Sequence, residues 1–264
     1  MKKKVFYKEK YNLIYIYGNF VNNESWNVTL YSNICDQEVY IEYNYIEGSR
    51  LPLDNIDSYN EVKFYIMNLL DCKTRKKVEF ETKPYTFINE INKYRKILNK
   101  KNSLFHDSYW QSIFNNLEKL FIDLSNQLQW KSSEQYISHG DLHYGNILIN
   151  RKLINLIDFD EVCFSPKYFD LAIYIFKYFN PIAGKLTSET FKKIEMEFQT
   201  YGIPLSDIVM YIIKVIYQKK YLECTNKSSL DDWIVDNWVS WFNDLKIILK
   251  GIKNIGIDIN YIKT

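Results

Sequence analysis

The sequence lacks the cysteine pattern of a metal-binding or disulfide-bonded protein. Its four cysteines, Cys35, Cys72, Cys163 and Cys224, are far apart, form no CxxC pair and have no histidine nearby at metal-ligand spacing. This arrangement favours reduced thiols over disulfides or a zinc site. We therefore expect a protein of the cytoplasm.

An excess of charge of one sign is also lacking. The 34 Lys and Arg residues are nearly balanced by 32 Asp and Glu residues, and the basic runs are short. A nucleic-acid-binding protein would normally carry a larger basic excess. No apolar run reaches the length of a transmembrane helix, and Lys8, Glu9, Lys10 and Asn12 interrupt the apolar core that a signal peptide would need. We expect neither nucleic acid nor a membrane as a partner.

The first part of the chain has the two-residue alternation of β-strands. Residues 26–32 and 38–48 predict strands, and residues 3–8 predict a third. Residues 9–20 fit a helix by spacing, although their Ile and Tyr content would also suit a strand. The following stretch, residues 48–57, contains Pro52 and is typical of a linker.

Beyond the linker the apolar residues recur at helical spacing. Helices are predicted over several stretches, namely 59–70, 86–98, 108–128, 205–221 and 231–250. Short β-type runs joined by polar turns interrupt this pattern at 137–160. We predict an α+β protein with a β-rich lobe (1–47), a hinge (48–57) and a mainly helical lobe (58–264) that contains the polar loop 137–160.

The loop ISHGDLHYGNILINRKLINLIDFD is unusually rich in polar side chains for a stretch with so much Ile and Leu. Asp141 precedes Asn146 by five residues, and Asp158 follows Asn146 by twelve. A hairpin between Asn146 and Asp158 would bring the two side by side. Carboxylate and amide oxygens of this kind suit Mg²⁺, which is bound by one or two protein oxygens together with phosphates and water.

Phosphoryl transfer needs such a set, because Mg²⁺ bridges the phosphates while a carboxylate accepts the proton of the attacking hydroxyl. The order His-x-Asp, Asn, Asp-Phe is that of the protein-kinase catalytic pattern. It predicts Asp141 as the base and Asn146 and Asp158 as magnesium ligands. Gly140 stands where protein kinases have an arginine, and no A-P-E segment follows. The pattern therefore indicates a small-molecule kinase.

Three stretches, HGDLHYGNILI, LIDFDEV and PKYFDLA, resemble the aminoglycoside phosphotransferase and choline kinase family. The resemblance is strong over residues 137–172 and weaker over most of the chain. It implies a two-lobed, protein-kinase-like fold that binds ATP or GTP with Mg²⁺ between the lobes. The N-lobe would be small or reduced, and the C-lobe larger and mainly helical.

The same resemblance assigns further residues to the nucleotide. Leu148 and Ile157 would line the adenine pocket, and backbone groups near Tyr45 and Glu47 would meet the adenine edge. Asp170 would be structural, bonding back to hold the catalytic loop.

Two histidines and one lysine complete the predicted site. His139 is predicted to bond to backbone within the loop, whereas His143 either contacts the substrate or packs in the loop. Residues 1–47 show no glycine-rich loop, since Gly18 is their only glycine. Lys8 is our candidate for the nucleotide-binding lysine, with Lys4 as the alternative.

The family phosphorylates hydroxyl groups of small, often cationic molecules, which call for acidic side chains. Asp232 and Asp236 lie on the polar stripe of the predicted helix 231–250 and are our candidates for binding the substrate. The alternative is that Asp231 and Asp232 only favour the helix start. Trp238 and Trp241 lie on its apolar stripe, so we expect them in the core.

We predict an ATP-dependent phosphotransferase acting on an aminoglycoside-like polyhydroxy or cationic acceptor, which would associate it with antibiotic resistance. One alternative is a choline or amino-alcohol kinase. The other is a catalytically weak or inactive protein of the kinase fold, with a binding role or a structural role of the spore-coat type.

Overall fold

The computed structural model describes residues 29–32, 39–42, 48–50, 52, 55–71, 86–100, 108–127, 130, 136–150, 153–224 and 237–251. These residues are mostly helical, with small antiparallel sheets. The chain divides into two compact units, one formed by residues 1–87 and 134–174 and the other by residues 88–133 and 175–264. The predicted α+β class is therefore confirmed.

The first unit contains short strands that pair antiparallel. The pairs are β1 (Thr29–Ser32) with β2 (Val39–Glu42), β3 (Ser49–Arg50) with β5 (Ile147–Asn150), β5 with β6 (Leu153–Leu156), and β4 (Tyr136–Ser138) with β7 (Cys163–Ser165). The hairpin β5–β6 pairs Ile147 with Leu156 and Asn150 with Leu153. This is the hairpin that the sequence predicted between Asn146 and Asp158.

Two helices pack within the first unit. Helix α1 (Ile56–Asp71) begins where Asn55 Oδ1 accepts hydrogen bonds from the backbone N–H groups of Asp57 and Ser58. The α1 residue Tyr59 stacks on Tyr174 of α4 (Phe169–Phe179), with ring centroids 5.5 Å apart.

The second unit is formed by helices. They are α2 (Phe87–Lys100), α3 (Ser108–Asn126), α5 (Ser188–Tyr201), α6 (Leu205–Cys224) and α7 (Trp238–Gly251). The first residue of α2, Phe87, belongs to the first unit, and the end of α4, from Ile175, belongs to the second. Helix α6 contacts α3 and α7, and α5 contacts α7. Every side chain from Ile208 to Tyr217 is buried, so α6 is apolar nearly all round and forms the centre of the unit.

Two polar groups, the buried Asp244 and the partly buried Arg95, tie this unit together. Asp244 in α7 accepts hydrogen bonds from Asn180 Nδ2 at 2.9 Å, Gly184 N at 2.8 Å and Leu186 N at 3.1 Å. Arg95 in α2 donates from Nε to Glu118 Oε2 in α3 at 3.0 Å. Because the Asp244 partners span the loop after α4, this carboxylate fixes the loop to α7.

The predicted helices 59–70, 86–98, 108–128 and 205–221 are confirmed by α1, α2, α3 and α6. The predicted helix 231–250 is confirmed from Trp238 onward by α7. Residues 231–236 lie outside the described part of the chain. Trp238 and Trp241 are buried in the core, as predicted. The predicted strand at 3–8 and helix at 9–20 also lie outside the described residues.

Within the predicted hinge 48–57, the structure has β3 and the start of α1. The lobe boundaries themselves stay a prediction. Among the described helices, none has the length and apolar character to cross a membrane.

Candidate active site

The predicted catalytic residues lie at the ends of short strands in the first unit, β4 in one sheet and β5 and β6 in another. Asp141 follows β4, Asn146 ends a short 3-10 turn before β5, and Asp158 follows β6. The β4–β7 pairing aligns Ser138 with Cys163, so the segment before Asp141 runs beside the segment that follows Asp158. This topology brings the three predicted residues into one loop cluster.

Asn146 links this cluster through hydrogen bonds of its side chain and its backbone. Its side-chain Nδ2 donates to the backbone oxygen of Asp141 at 3.0 Å, and its own backbone oxygen accepts from Ile157 N at 3.0 Å. A carbonyl oxygen can only accept, so the amide must present its nitrogen to Asp141. The Asn146 Oδ1 is therefore the atom directed away from Asp141 O.

Asp158 has an unusual backbone conformation. Its φ of 62° and ψ of 62° are left-handed, and it is the one non-glycine residue with positive φ in the described ranges. The residue is exposed, and its carboxylate makes no capping hydrogen bond to the following turn, Phe159–Glu161. Such strain is costly and concentrates at functional sites. Asp158 is thus a strained, solvent-facing carboxylate one residue beyond the Ile157–Asn146 hydrogen bond.

The backbone before Asp141 is held by Asp170 in the first turn of α4. The Asp170 carboxylate accepts from His139 N at 2.7 Å and from Gly140 N at 3.0 Å. The buried His139 ring faces the Ile157 carbonyl oxygen, with 2.8 Å between Nε2 and O, so Nε2 carries the proton. These contacts hold the segment before Asp141, and they involve both residues, Asp170 and His139, for which a structural role is predicted.

Gly140 is a site residue whose importance the sequence pattern did not reveal. Its φ of +79° is left-handed, and an added Cβ would overlap the backbone oxygen of Glu161 and lie 3.0 Å from its carbonyl carbon. Glycine is therefore needed here because the loop passes directly against the turn that follows Asp158. The signal available in the sequence is the glycine next to the predicted base, which the kinase pattern explains only as the replacement of an arginine.

Leu148 and Ile157 are half-buried, in contrast to Ile147 and Leu156, which are fully buried. A Cβ on Gly48 would lie 3.1 Å from Leu148 Cβ, so the chain leading into β3 passes close over this residue. The role of Leu148 and Ile157 at the adenine stays a prediction.

His143 lies beside Asp141 and caps the 3-10 turn. Its Nδ1 accepts a hydrogen bond from Gly145 N at 3.0 Å, and its Nε2 is 3.6 Å from Asp141 Oδ2. The structure therefore places His143 next to the predicted base.

The other predicted site residues lie outside the described part of the chain: Lys8, Lys4, Tyr45, Glu47, Asp232 and Asp236. Their roles stay predictions.

The oxygens of this cluster fit a magnesium ion better than a transition metal. Among the described residues, no group of three or more His, Cys, Asp and Glu side chains could hold a metal. One amide oxygen on Asn146 and one exposed carboxylate on Asp158 match the small number of protein oxygens that Mg²⁺ uses when phosphates and water complete its shell.

Comparison with known proteins bears on the family and the fold. The model of the phosphotransferase enzyme family, which includes aminoglycoside phosphotransferases, matches residues 83–192. No curated protein matches the sequence.

Several solved structures share the fold. Plasmodium vivax ethanolamine kinase is 17% identical, with a TM-score of 0.60 over 94% of this chain and 72% of its own. A thermostable mutant of the aminoglycoside phosphotransferase APH(4)-Ia is 12% identical, with a TM-score of 0.60 over 93% of this chain and 85% of its own. Choline kinase LicA from Streptococcus pneumoniae is 15% identical, with a TM-score of 0.57 over 94% of this chain and 85% of its own.

The resemblance stated from the sequence is thereby confirmed: residues 83–192 match the phosphotransferase enzyme family, and the chain has the protein-kinase-like fold of aminoglycoside phosphotransferases and choline and ethanolamine kinases.

Proposed function

We propose that the protein transfers the γ-phosphate of ATP or GTP to a hydroxyl group of a small cationic or polyhydroxy molecule. The observation that carries this proposal is the pair of hydrogen bonds through Asn146, which joins Asp141 on one side and the residue before Asp158 on the other. Phosphoryl transfer requires a base and two metal-binding oxygens at close quarters.

Each residue of the cluster has a separate task in this proposal. The Asp141 carboxylate accepts the proton of the acceptor hydroxyl, and the Asp170 contacts keep its backbone in place. Asn146 Oδ1 and the Asp158 carboxylate would hold Mg²⁺, which when bound neutralises charge on the β- and γ-phosphates.

The nucleotide would lie over the apolar pair Leu148 and Ile157. The predicted roles of Tyr45 and Glu47 at the adenine edge, and of Lys8 at the phosphates, belong to this proposal. Structures of relatives support a nucleotide and a divalent metal, since APH(4)-Ia has been crystallised with ADP or AMP-PNP, and amicoumacin kinase hAmiN with AMP-PNP and Ca²⁺.

The relatives named above support this acceptor class. They include an ethanolamine kinase and a choline kinase, and APH(4)-Ia has been crystallised with hygromycin B. Choline and ethanolamine combine a hydroxyl with a cationic nitrogen, and Asp232 and Asp236 would attract such a cation. We place an aminoglycoside-like acceptor first, which would make the protein a resistance enzyme, and a choline-like amino alcohol second. A cytoplasmic location stays a prediction.

The test is nucleotide turnover with Mg²⁺ on a panel of aminoglycosides, hygromycin B, choline and ethanolamine, with ATP and with GTP. We expect turnover on at least one acceptor. Asp141→Asn should lower kcat by about 10²-fold or more, because it removes the base and not the metal ligands. Asp123→Asn is the matched control, since Asp123 is an exposed α3 residue.

The panel also separates the alternatives. Turnover confined to choline or ethanolamine would identify an amino-alcohol kinase. Mg²⁺-dependent ATP binding without turnover would indicate a binding or structural protein of the spore-coat type. Absence of both turnover and Mg²⁺-dependent binding would refute the proposed function.

A further inference from the structure

We propose that His143 is a positioning residue for the base: as the neutral tautomer protonated on Nε2, it holds Asp141 Oδ2 and turns the other carboxylate oxygen toward the acceptor hydroxyl. This inference rests on the proposed function and deepens it. It replaces the predicted contact between His143 and substrate with a contact to Asp141.

The tautomer follows from one backbone hydrogen bond. Gly145 N donates to His143 Nδ1 at 3.0 Å. A backbone N–H can only donate, so Nδ1 must present its lone pair and cannot carry a proton. A neutral imidazole has one N–H, which is therefore on Nε2, the ring atom 3.6 Å from Asp141 Oδ2.

The ring is also fixed in place. A Cβ on Gly145 would lie 2.7 Å from His143 Cε1 and 3.0 Å from Nδ1, so the absence of a side chain there lets the ring sit against the turn. The Tyr144 ring meets it edge-on at 5.6 Å, and His143 O accepts from Asn146 N at 2.9 Å. Ring, backbone and neighbouring turn thus hold Nε2 on the side of Asp141.

The separation of 3.6 Å is longer than a hydrogen bond, which for N–H···O is about 2.7–3.2 Å. Catalytic hydrogen bonds are often long before substrate binds and tighten in the reacting complex. Both side chains retain partial exposure, 25% for His143 and 29% for Asp141. A small rotation of the Asp141 carboxylate closes the gap, because the ring itself is held.

The single ring proton separates the two roles that His143 could have. If Nε2–H donates to Asp141, the neutral ring has no second N–H for the acceptor molecule. With Oδ2 held by His143, the proposal assigns to Oδ1 the proton of the hydroxyl. His143 would thus act on the orientation of the base.

Two substitutions separate this role from a merely structural cap. His143→Asn keeps a side-chain oxygen that can accept from Gly145 N, as asparagine does at helix starts, but is too short to reach Asp141. His143→Gln loses the short cap but can extend an amide N–H toward Asp141. We expect the Asn variant to fold normally and to keep the KM for ATP within about twofold, with kcat lowered about tenfold or more.

The Gln variant should recover part of that kcat loss, again with little change in KM. A purely structural role predicts the reverse order, with the Asn variant active and the Gln variant impaired. Full kcat in the Asn variant, or the reverse order, would overturn the inference.

A spectroscopic measurement tests the inference without turnover. Long-range ¹H–¹⁵N correlations of the imidazole ring in the intact protein should show His143 protonated on Nε2 and unprotonated on Nδ1. The Nε2 resonance should move in Asp141→Asn and stay in place in Asp123→Asn. A proton on Nδ1, or an Nε2 resonance insensitive to Asp141→Asn, would overturn the assignment. If the wild-type protein turns over no acceptor of the panel, that outcome counts against the proposed function. The imidazole resonances would still decide whether His143 holds Asp141.

Discussion

Asn146 donates a hydrogen bond from its side-chain Nδ2 to the backbone oxygen of Asp141, at 3.0 Å. One residue thus supports the position of the predicted base and, in the proposed function, would present an oxygen to the metal. The two tasks use different atoms of the same amide, so substitutions can separate them.

Asn146→Asp should separate the two tasks. The variant keeps a side-chain oxygen for metal but sets a second oxygen against Asp141 O. We expect the free energy of unfolding to fall by about 1–3 kcal/mol, because a buried hydrogen bond is lost and its acceptor is left unsatisfied. Urea unfolding measures this change. The exposed α1 residue Asn60 provides the control, and a variant Asn60→Asp should stay within about 0.5 kcal/mol of wild type.

Asp158 should show a conflict between stability and activity. A left-handed conformation costs a non-glycine residue about 1–2 kcal/mol. We expect Asp158→Gly to be more stable than Asp158→Ala by about 1 kcal/mol, because glycine adopts this conformation without strain. Both variants should lose Mg²⁺-dependent nucleotide binding, measured by calorimetry with and without the metal. Retained Mg²⁺-dependent binding in either variant would show that Asp158 is not a metal ligand.

Asp170→Asn should destabilise the loop before Asp141. The wild-type carboxylate accepts two backbone N–H groups, at His139 and Gly140, and hydrogen bonds to a charged group contribute about 1.5–3 kcal/mol each. The amide can accept only one of them and turns its own N–H group toward the other. We expect a loss of about 2–3 kcal/mol in guanidinium unfolding, with lower kcat. An unchanged unfolding midpoint would contradict this account.

Gly140→Ala and Gly202→Ala form a matched pair, since both glycines have positive φ, +79° and +65°. At Gly202 no described atom lies within 4 Å of an added Cβ, whereas at Gly140 it would overlap Glu161 O. We expect Gly202→Ala to cost about 1–2 kcal/mol from backbone strain alone. Gly140→Ala should cost clearly more and should also displace the turn after Asp158. Thermal unfolding of both variants checks the difference; equal losses would mean that the close approach is unimportant.

Asp207 in α6 should make stability fall as pH rises. Burial raises the pKa of its carboxyl from 3.8 to about 8. Between these values the folded protein keeps a proton that the unfolded chain has released, so the free energy of unfolding decreases with rising pH.

Asp207→Asn removes this titration, so it should flatten that pH dependence. The free energy of unfolding of the variant minus that of wild type should increase by at least about 2 kcal/mol between pH 5 and pH 8, because one pKa unit corresponds to about 1.4 kcal/mol. Urea unfolding at the two pH values measures this. If variant and wild type differ in unfolding free energy by the same amount at both pH values, Asp207 does not titrate in this range.

The arrangement around Asn146 could be predicted because it depends on local spacing. The residues between Asn146 and Asp158 alternate as a hairpin does, and a hairpin of that length has to return Asp158 to the side of Asn146. The helices were predictable for the same reason, since their apolar residues recur within each segment. The burial of Trp238 and Trp241 followed from one stripe of one helix.

Other features depend on contacts between distant segments, and the sequence did not reveal them. The need for glycine at position 140 comes from the backbone of Glu161. The buried Asp244 accepts hydrogen bonds from Asn180 and Leu186, which lie more than fifty residues earlier in the chain. The left-handed backbone of Asp158 had no local signal, because that conformation is typical of glycine.

The link between Asp170 and the His139–Gly140 amides closes a loop of about thirty residues. Those two amide protons can exchange with solvent only when the first turn of α4 releases them. Their exchange rates therefore report how often the strand ahead of Asp141 separates from α4.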